Sequence, residues 1–194
     1  MNFIEEFCEI HTLSEEILPG FETFTCGDED LDGFFREDAI KYAEHLLGKT
    51  YCIVLTKNPK DIVCAFTLSN ESLRTDILPN GRKKKINENI PREKQMRRYP
   101  AALIGRLGVN TKYADKGIGS SLLRMLKQLL IDGDNLTACR YLAVDSYNNQ
   151  RTLNFYERNG FKFLFSTEEQ EAKTIGLSQP LNTRYMYFDL IDLK

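Results

Sequence analysis

The run "AALIGRLGVN" (101–110) is almost continuously apolar, and "TKYADKGIGSSLL" follows it directly. An apolar run of this kind reads as a strand buried on both faces. Beyond the turn, Leu122, Leu123, Met125, Leu126, Leu129 and Leu130 form one stripe, with Arg124, Lys127 and Gln128 off it. That spacing is helical. A buried strand that feeds a helix through a short glycine-bearing turn requires a sheet with a covering helix layer, and a crossover to the next strand.

The rest of the chain fits such a sheet. Residues 3–10 read as a first strand. Leu31, Phe34, Phe35, Ala39, Tyr42, Ala43, Leu46 and Leu47 have helical spacing, with Asp28 or Asp30 as cap and Gly48 as stop. Residues 49–56 and 62–73 read as strands joined by "KNPKD", a hairpin. Residues 74–100 are polar, with basic clusters Arg82–Lys85 and Arg97–Arg98, and read as a long surface connection. Then come a strand (140–146), a short helix (150–160) stopped by Gly160, a strand (161–166), a polar loop (167–183) and a last strand (184–191). The expected class is α/β (α+β): a single domain over 1–194, with a mixed, mostly antiparallel sheet of about six to seven strands and about four helices.

Composition narrows the function classes. A net charge of −2 gives no general attraction to nucleic acid or anionic membrane. The five cysteines show no CxxC spacing, which argues against a disulfide framework or zinc site and for a reducing cytoplasm. No apolar run reaches the roughly 20 residues of a membrane span, and the N-terminus lacks the pattern of a secretory signal.

The turn itself suits an anion. Glycines at 117 and 119 let backbone approach a ligand, and the unpaired NH groups of a helix start face it, with Lys116 at the rim. It is neither a Walker A loop nor a full GxGxxG fingerprint, because position 122 is Leu.

Taken with "LAVDSYNNQRTLNFYERNGFKFL" downstream, this region resembles the GNAT superfamily of acyl-CoA-dependent N-acetyltransferases. The family's pyrophosphate loop, [Q/R]-x-x-G-x-[G/A], falls on Ala114–Gly119, with Ala114 in the Gln/Arg slot. Its second pattern is met by Asn149, Thr152, Phe155, Tyr156, Arg158, Gly160 and Phe161. "FTCGDEDLDGFF", "CAFTLSN" and "YPAALIGRLGVN" are similar to the branch that contains tRNA-acetylating toxins of toxin–antitoxin pairs.

The resemblance implies acetyl-CoA as acyl donor. Leu107, Gly108 and Val109 would meet the pantetheine; Lys112, Asp115, Lys116, Gly117, Ile118, Gly119 and Ser120 would meet the pyrophosphate; Asn149 and Tyr156 complete the cofactor contacts. Tyr156 is implied as general acid, Glu71 as base, and Ser69, Asn70 and Arg106 as the substrate side. No metal and no covalent enzyme intermediate are implied. The acceptor stays open between the amino group of charged tRNA and a small-molecule or protein amine, beside a third reading as a CoA-binding regulatory protein. An antitoxin partner and a homodimer are implied by the toxin branch, and no membrane association.

Overall fold

The structure is a computed structural model that describes residues 3–133, 135 and 137–194. Its elements run α1 (Phe3–Phe7), β1 (Cys8–Thr12), α2 (Glu29–Gly33), α3 (Ala39–Glu44), β2 (Lys49–Leu55), β3 (Asn58–Arg74), α4 (Asn80–Ile86), β4 (Arg98–Val109), α5 (Ile118–Ile131), β5 (Tyr141–Tyr147), α6 (Gln150–Arg158), β6 (Lys162–Phe163), α7 (Glu168–Ile175) and β7 (Thr183–Asp189). The seven strands are ordered β1-β2-β3-β4-β5-β7-β6. β1–β2, β2–β3, β5–β7 and β6–β7 pair antiparallel. β7 therefore separates β5 from β6, which run parallel to each other. The mixed, mostly antiparallel sheet agrees with the sequence reading.

Several expectations are corrected. Residues 3–7 are helical rather than strand, and Phe3 and Phe7 meet one turn apart with tilted rings and centroids at 5.5 Å. The hairpin turn is tighter than "KNPKD": β3 already begins at Asn58. The helical stripe from 31 to 47 is broken by a π-helical turn, Phe34–Asp38, and ends at Glu44. Leu46 takes a left-handed φ of +57° and is 93 % exposed, so it lies outside the apolar face. Leu129 likewise faces solvent. Only Lys162–Phe163 of the expected strand 161–166 is a strand, and the expected loop 167–183 contains α7. With α1, α4 and α7 added, the helices exceed the expected four.

The chain divides into two units. The first spans 1–69 and 103–129. Its core joins Phe21, Phe24, Phe34, Phe35 and Ala39 to Cys52, Val54, Ile62 and Ala65 of β2 and β3. The second spans 70–102 and 130–194. Its core contains Leu73, Leu78, Ile86, Ile90, Tyr99, Tyr141, Leu164, Phe165 and Tyr187. The connection 74–100 is thus no solvated linker: it buries Leu78, Ile86 and Ile90 and holds itself with a buried Tyr99 hydroxyl that donates to Asn87 Oδ1 at 2.9 Å.

Candidate active site

In the first unit, the second half of β4 carries the expected pantetheine contacts. Gly108 is buried, and a Cβ there would lie 3.0 Å from Cys26 Cβ, 3.1 Å from its Sγ and 3.2 Å from the Phe35 ring. A side chain here would require its neighbours to give by a few tenths of an ångström. Leu107 and Val109 on either side are half-buried.

Arg106, expected on the substrate side, lies against two aromatic rings. Its guanidinium lies 3.7 Å from the centre of the Phe34 ring and 5.6 Å from that of Tyr42. The planar cation is held against an aromatic face. Ser69 is half-buried and Asn70 exposed, on the same strand β3.

Asn110 ends β4 and organises the turn. Its side chain donates to Ile62 O at 2.9 Å and accepts from Lys112 N at 3.1 Å. Asp115 follows with φ +60°, then Gly117 with φ +69°. α5 starts at Ile118, and its first intrahelical bond runs from Ser121 N to Gly117 O at 3.0 Å. The NH groups of Ile118, Gly119 and Ser120 come before that bond, in the stretch that a helix leaves for an external acceptor. Ile118 points inward and anchors the helix, while 114–117 are exposed.

The two lysines of the turn differ. Lys112 Nζ lies 3.8 Å from Asp61 Oδ1. Lys116 Nζ lies 5.3 Å from the Tyr113 ring centre and 5.7 Å from that of Phe3.

The second unit holds the expected acid and base. Tyr156 is buried on α6, with edge-on ring contacts to Phe155 at 5.0 Å and Phe161 at 5.2 Å. Burial raises its phenol well above the ordinary range, so it keeps its proton at neutral pH. Asn149 caps the same helix: its Oδ1 accepts from Thr152 N at 2.9 Å.

Glu71 Oε1 accepts from Ser72 N at 2.6 Å. It belongs to a wider group that the sequence reading missed. Asp145 of β5 stands opposite Tyr185 of β7. Asp145 is exposed on β5, yet nearby protein partly desolvates its carboxyl and raises it, and the charges of Glu71 and Glu171 raise it further. Tyr185 is raised by burial and then by Glu71 and Asp145, and its buried hydroxyl has no hydrogen-bond partner among the described residues. Glu171 of α7 is fixed by Arg184 Nε at 2.6 Å and Tyr185 N at 2.7 Å. An aspartate inside the apolar strand "YLAVDSY" was the available signal. Glu171 had none, because its segment reads as loop.

A strand with little room for a Cβ, a glycine turn and a helix start thus follow one another, and a comparison with known families covers this segment. Residues 83–161 match the Acetyltransferase (GNAT) family. That segment is similar to a GNAT acetyltransferase domain. The matched residues include Arg106 to Ser120, Asn149 and Tyr156, whereas Ser69, Asn70 and Glu71 precede them.

A tRNA-acetylating toxin of Mycobacterium tuberculosis (strain ATCC 25618 / H37Rv) is 28% identical over 102 residues, 53% of this chain and 54% of the toxin. The chain thus spans about half the length of that curated relative. Among solved structures, AtaT complexed with acetyl-methionyl-tRNAfMet matches at 17% identity and a TM-score of 0.72, covering 96% of both chains. A mutant AtaT toxin bound to the C-terminus of the antitoxin AtaR and acetyl-CoA matches at 15% identity and a TM-score of 0.66, covering 96% of this chain and 95% of that one. These likenesses are of fold. No helix among the described residues is long and apolar enough to cross a membrane.

Proposed function

We propose that the protein is an acetyl-CoA-dependent N-acetyltransferase that moves the acetyl group directly to a primary amine while donor and acceptor are both bound. The carrying observation is the strand–turn–helix cradle at Gly108, Gly117 and the start of α5, inside the segment matched by the GNAT family.

The donor supplies a thioester carbonyl and leaves as a thiolate. The NH groups of Ile118, Gly119 and Ser120 hold its pyrophosphate, and the backbone of Leu107–Val109 holds its pantetheine. The acceptor must lose a proton before attack, and a raised carboxyl such as Asp145, with Glu71 beside it in charge, suits that task. Tyr156, kept protonated by burial, gives its proton to the departing sulfur.

For the acceptor we propose the amino group of aminoacyl-tRNA. The likeness to a tRNA-acetylating toxin and to AtaT complexed with acetyl-methionyl-tRNAfMet supports this, as do exposed Lys84, Lys85, Arg97 and Arg98. The AtaR-bound likeness supports an antitoxin partner. The net charge of −2 favours a second reading, a small or protein amine as acceptor.

The test is release of free CoA from acetyl-CoA with charged tRNA, uncharged tRNA and a panel of small amines. Turnover with charged tRNA alone supports the first reading, and turnover with simple amines alone supports the second. If acetyl-CoA fails to raise the melting temperature, the donor assignment is wrong.

A further inference from the structure

The corner of the turn carries aromatic rings that neither catalysis nor packing of the core uses. Phe3 of α1 and Tyr113 of the turn lie with ring centroids 5.8 Å apart, and Phe7 continues the group at 5.5 Å from Phe3. Phe3 and Tyr113 are half-buried, and Phe7 is 46 % exposed. Lys116 Nζ stands over both the Phe3 and Tyr113 rings, immediately before Gly117.

Burial, then hydrogen bonding and charge from Asp61, push the Tyr113 phenol up to about 12. Asp61 also sits 3.8 Å from Lys112 Nζ. One carboxylate therefore lies beside a ring and a cation of the same turn.

We propose that Phe3 and Tyr113 seat the adenine ring of the acyl-CoA donor, with Lys116 engaging the phosphates next to it. Three observations converge on a nucleotide base rather than on another apolar partner. The rings flank the anion cradle of the glycine turn. A cation already lies above them. In CoA only a ribose separates the pyrophosphate from a flat purine, so a pyrophosphate on the α5 start leaves the base within reach of the rings that Lys116, next to Gly117, already approaches. Base–aromatic stacking tolerates any ring face and requires no hydrogen-bond code. The N-terminal helix thereby becomes part of the donor site. The inference rests on the acyl-CoA reading above.

The test compares CoA with 4′-phosphopantetheine, which lacks the adenosine, by isothermal titration calorimetry on the full chain. Phe3→Leu and Tyr113→Leu are expected to weaken CoA about 10-fold and to leave 4′-phosphopantetheine unchanged, whereas Tyr113→Phe retains CoA affinity. The chain has no tryptophan, so Phe3→Trp supplies a single reporter whose fluorescence is expected to be quenched by CoA and by 3′,5′-ADP but not by 4′-phosphopantetheine. If the wild type binds CoA and the leucine variants bind it equally well, or lose both ligands alike, the adenine seat is overturned while the donor reading stands. If the wild type binds no CoA, the donor reading falls and the seat with it.

Discussion

Arg82 on α4 donates from Nε to the Leu164 carbonyl at 2.9 Å and from its terminal nitrogen to the Phe163 carbonyl. A residue that reads in the sequence as part of a basic cluster is thus a brace between distant segments of the second unit. Charge-assisted bonds of this kind are worth about 1.5–3 kcal/mol. Arg82→Ala is expected to cost about 2 kcal/mol in urea unfolding, and Lys84→Ala and Lys85→Ala under about 0.5 kcal/mol each. Should the chain bind tRNA, the order reverses in the salt titration. Removing both lysines lowers the slope of log affinity against log salt by about 2, and Arg82→Ala leaves it unchanged.

Tyr156→Phe separates chemistry from packing. The ring contacts to Phe155 and Phe161 need no hydroxyl, so the variant keeps its melting temperature and its affinity for acetyl-CoA. Loss of a general acid is expected to lower kcat about 100-fold, read as CoA release at saturating donor and acceptor. Full turnover in the variant would remove Tyr156 from the chemistry.

The central pieces were legible because several signals agreed on them. Apolar continuity marks β4, the stripe marks α5, and the glycines fall where the left-handed φ of Gly117 and the start of α5 require them. Asp28 caps the first long helical stretch as expected, accepting from Leu31 N at 3.0 Å. What escaped reading depends on long-range partners. Arg82 looked like a surface cation because its acceptors lie at 163 and 164. The Phe34 ring beneath Arg106 escapes local reading for the same reason. The Asp145–Tyr185 pairing is a cross-strand register, invisible until β5 and β7 are paired.

Asp145 gives a pH dependence whose sign follows from its raised carboxyl. A carboxyl raised on folding binds its proton more tightly in the folded state, so stability is lost as pH rises from the ordinary aspartate range, about 3.9, through the raised folded value. Asp145→Asn has no such proton to lose. Relative to wild type, it is expected to gain stability as pH rises through that window, with the difference levelling off at neutral pH. Melting temperatures from pH 4 to pH 8 show this directly. If Asp145 also serves as base, the acid limb of the rate profile lies above the ordinary carboxylate range in wild type, and Asp145→Asn abolishes that limb along with most of the rate. A variant with wild-type rate and an unchanged acid limb would leave Asp145 with a purely electrostatic effect on stability.

Gly108→Ala tests whether β4 needs its missing side chain. The new methyl would meet Cys26 Cβ at 3.0 Å, Cys26 Sγ at 3.1 Å and the Phe35 ring at 3.2 Å. Phe35 is fully buried among aromatic neighbours and cannot yield, so the strand has to shift instead. Overpacking of this kind costs about 1–3 kcal/mol. A displaced strand also misplaces the backbone that is to hold the pantetheine, so acetyl-CoA affinity is expected to fall with stability. Cys26→Ala removes the sulfur and opens part of the space. Combined with Gly108→Ala, it is expected to recover about half of the lost stability, on the order of 1 kcal/mol, in a double-mutant cycle followed by urea unfolding. Simple additivity of the two substitutions would show that the Cys26–Gly108 contact does not set the position of the strand.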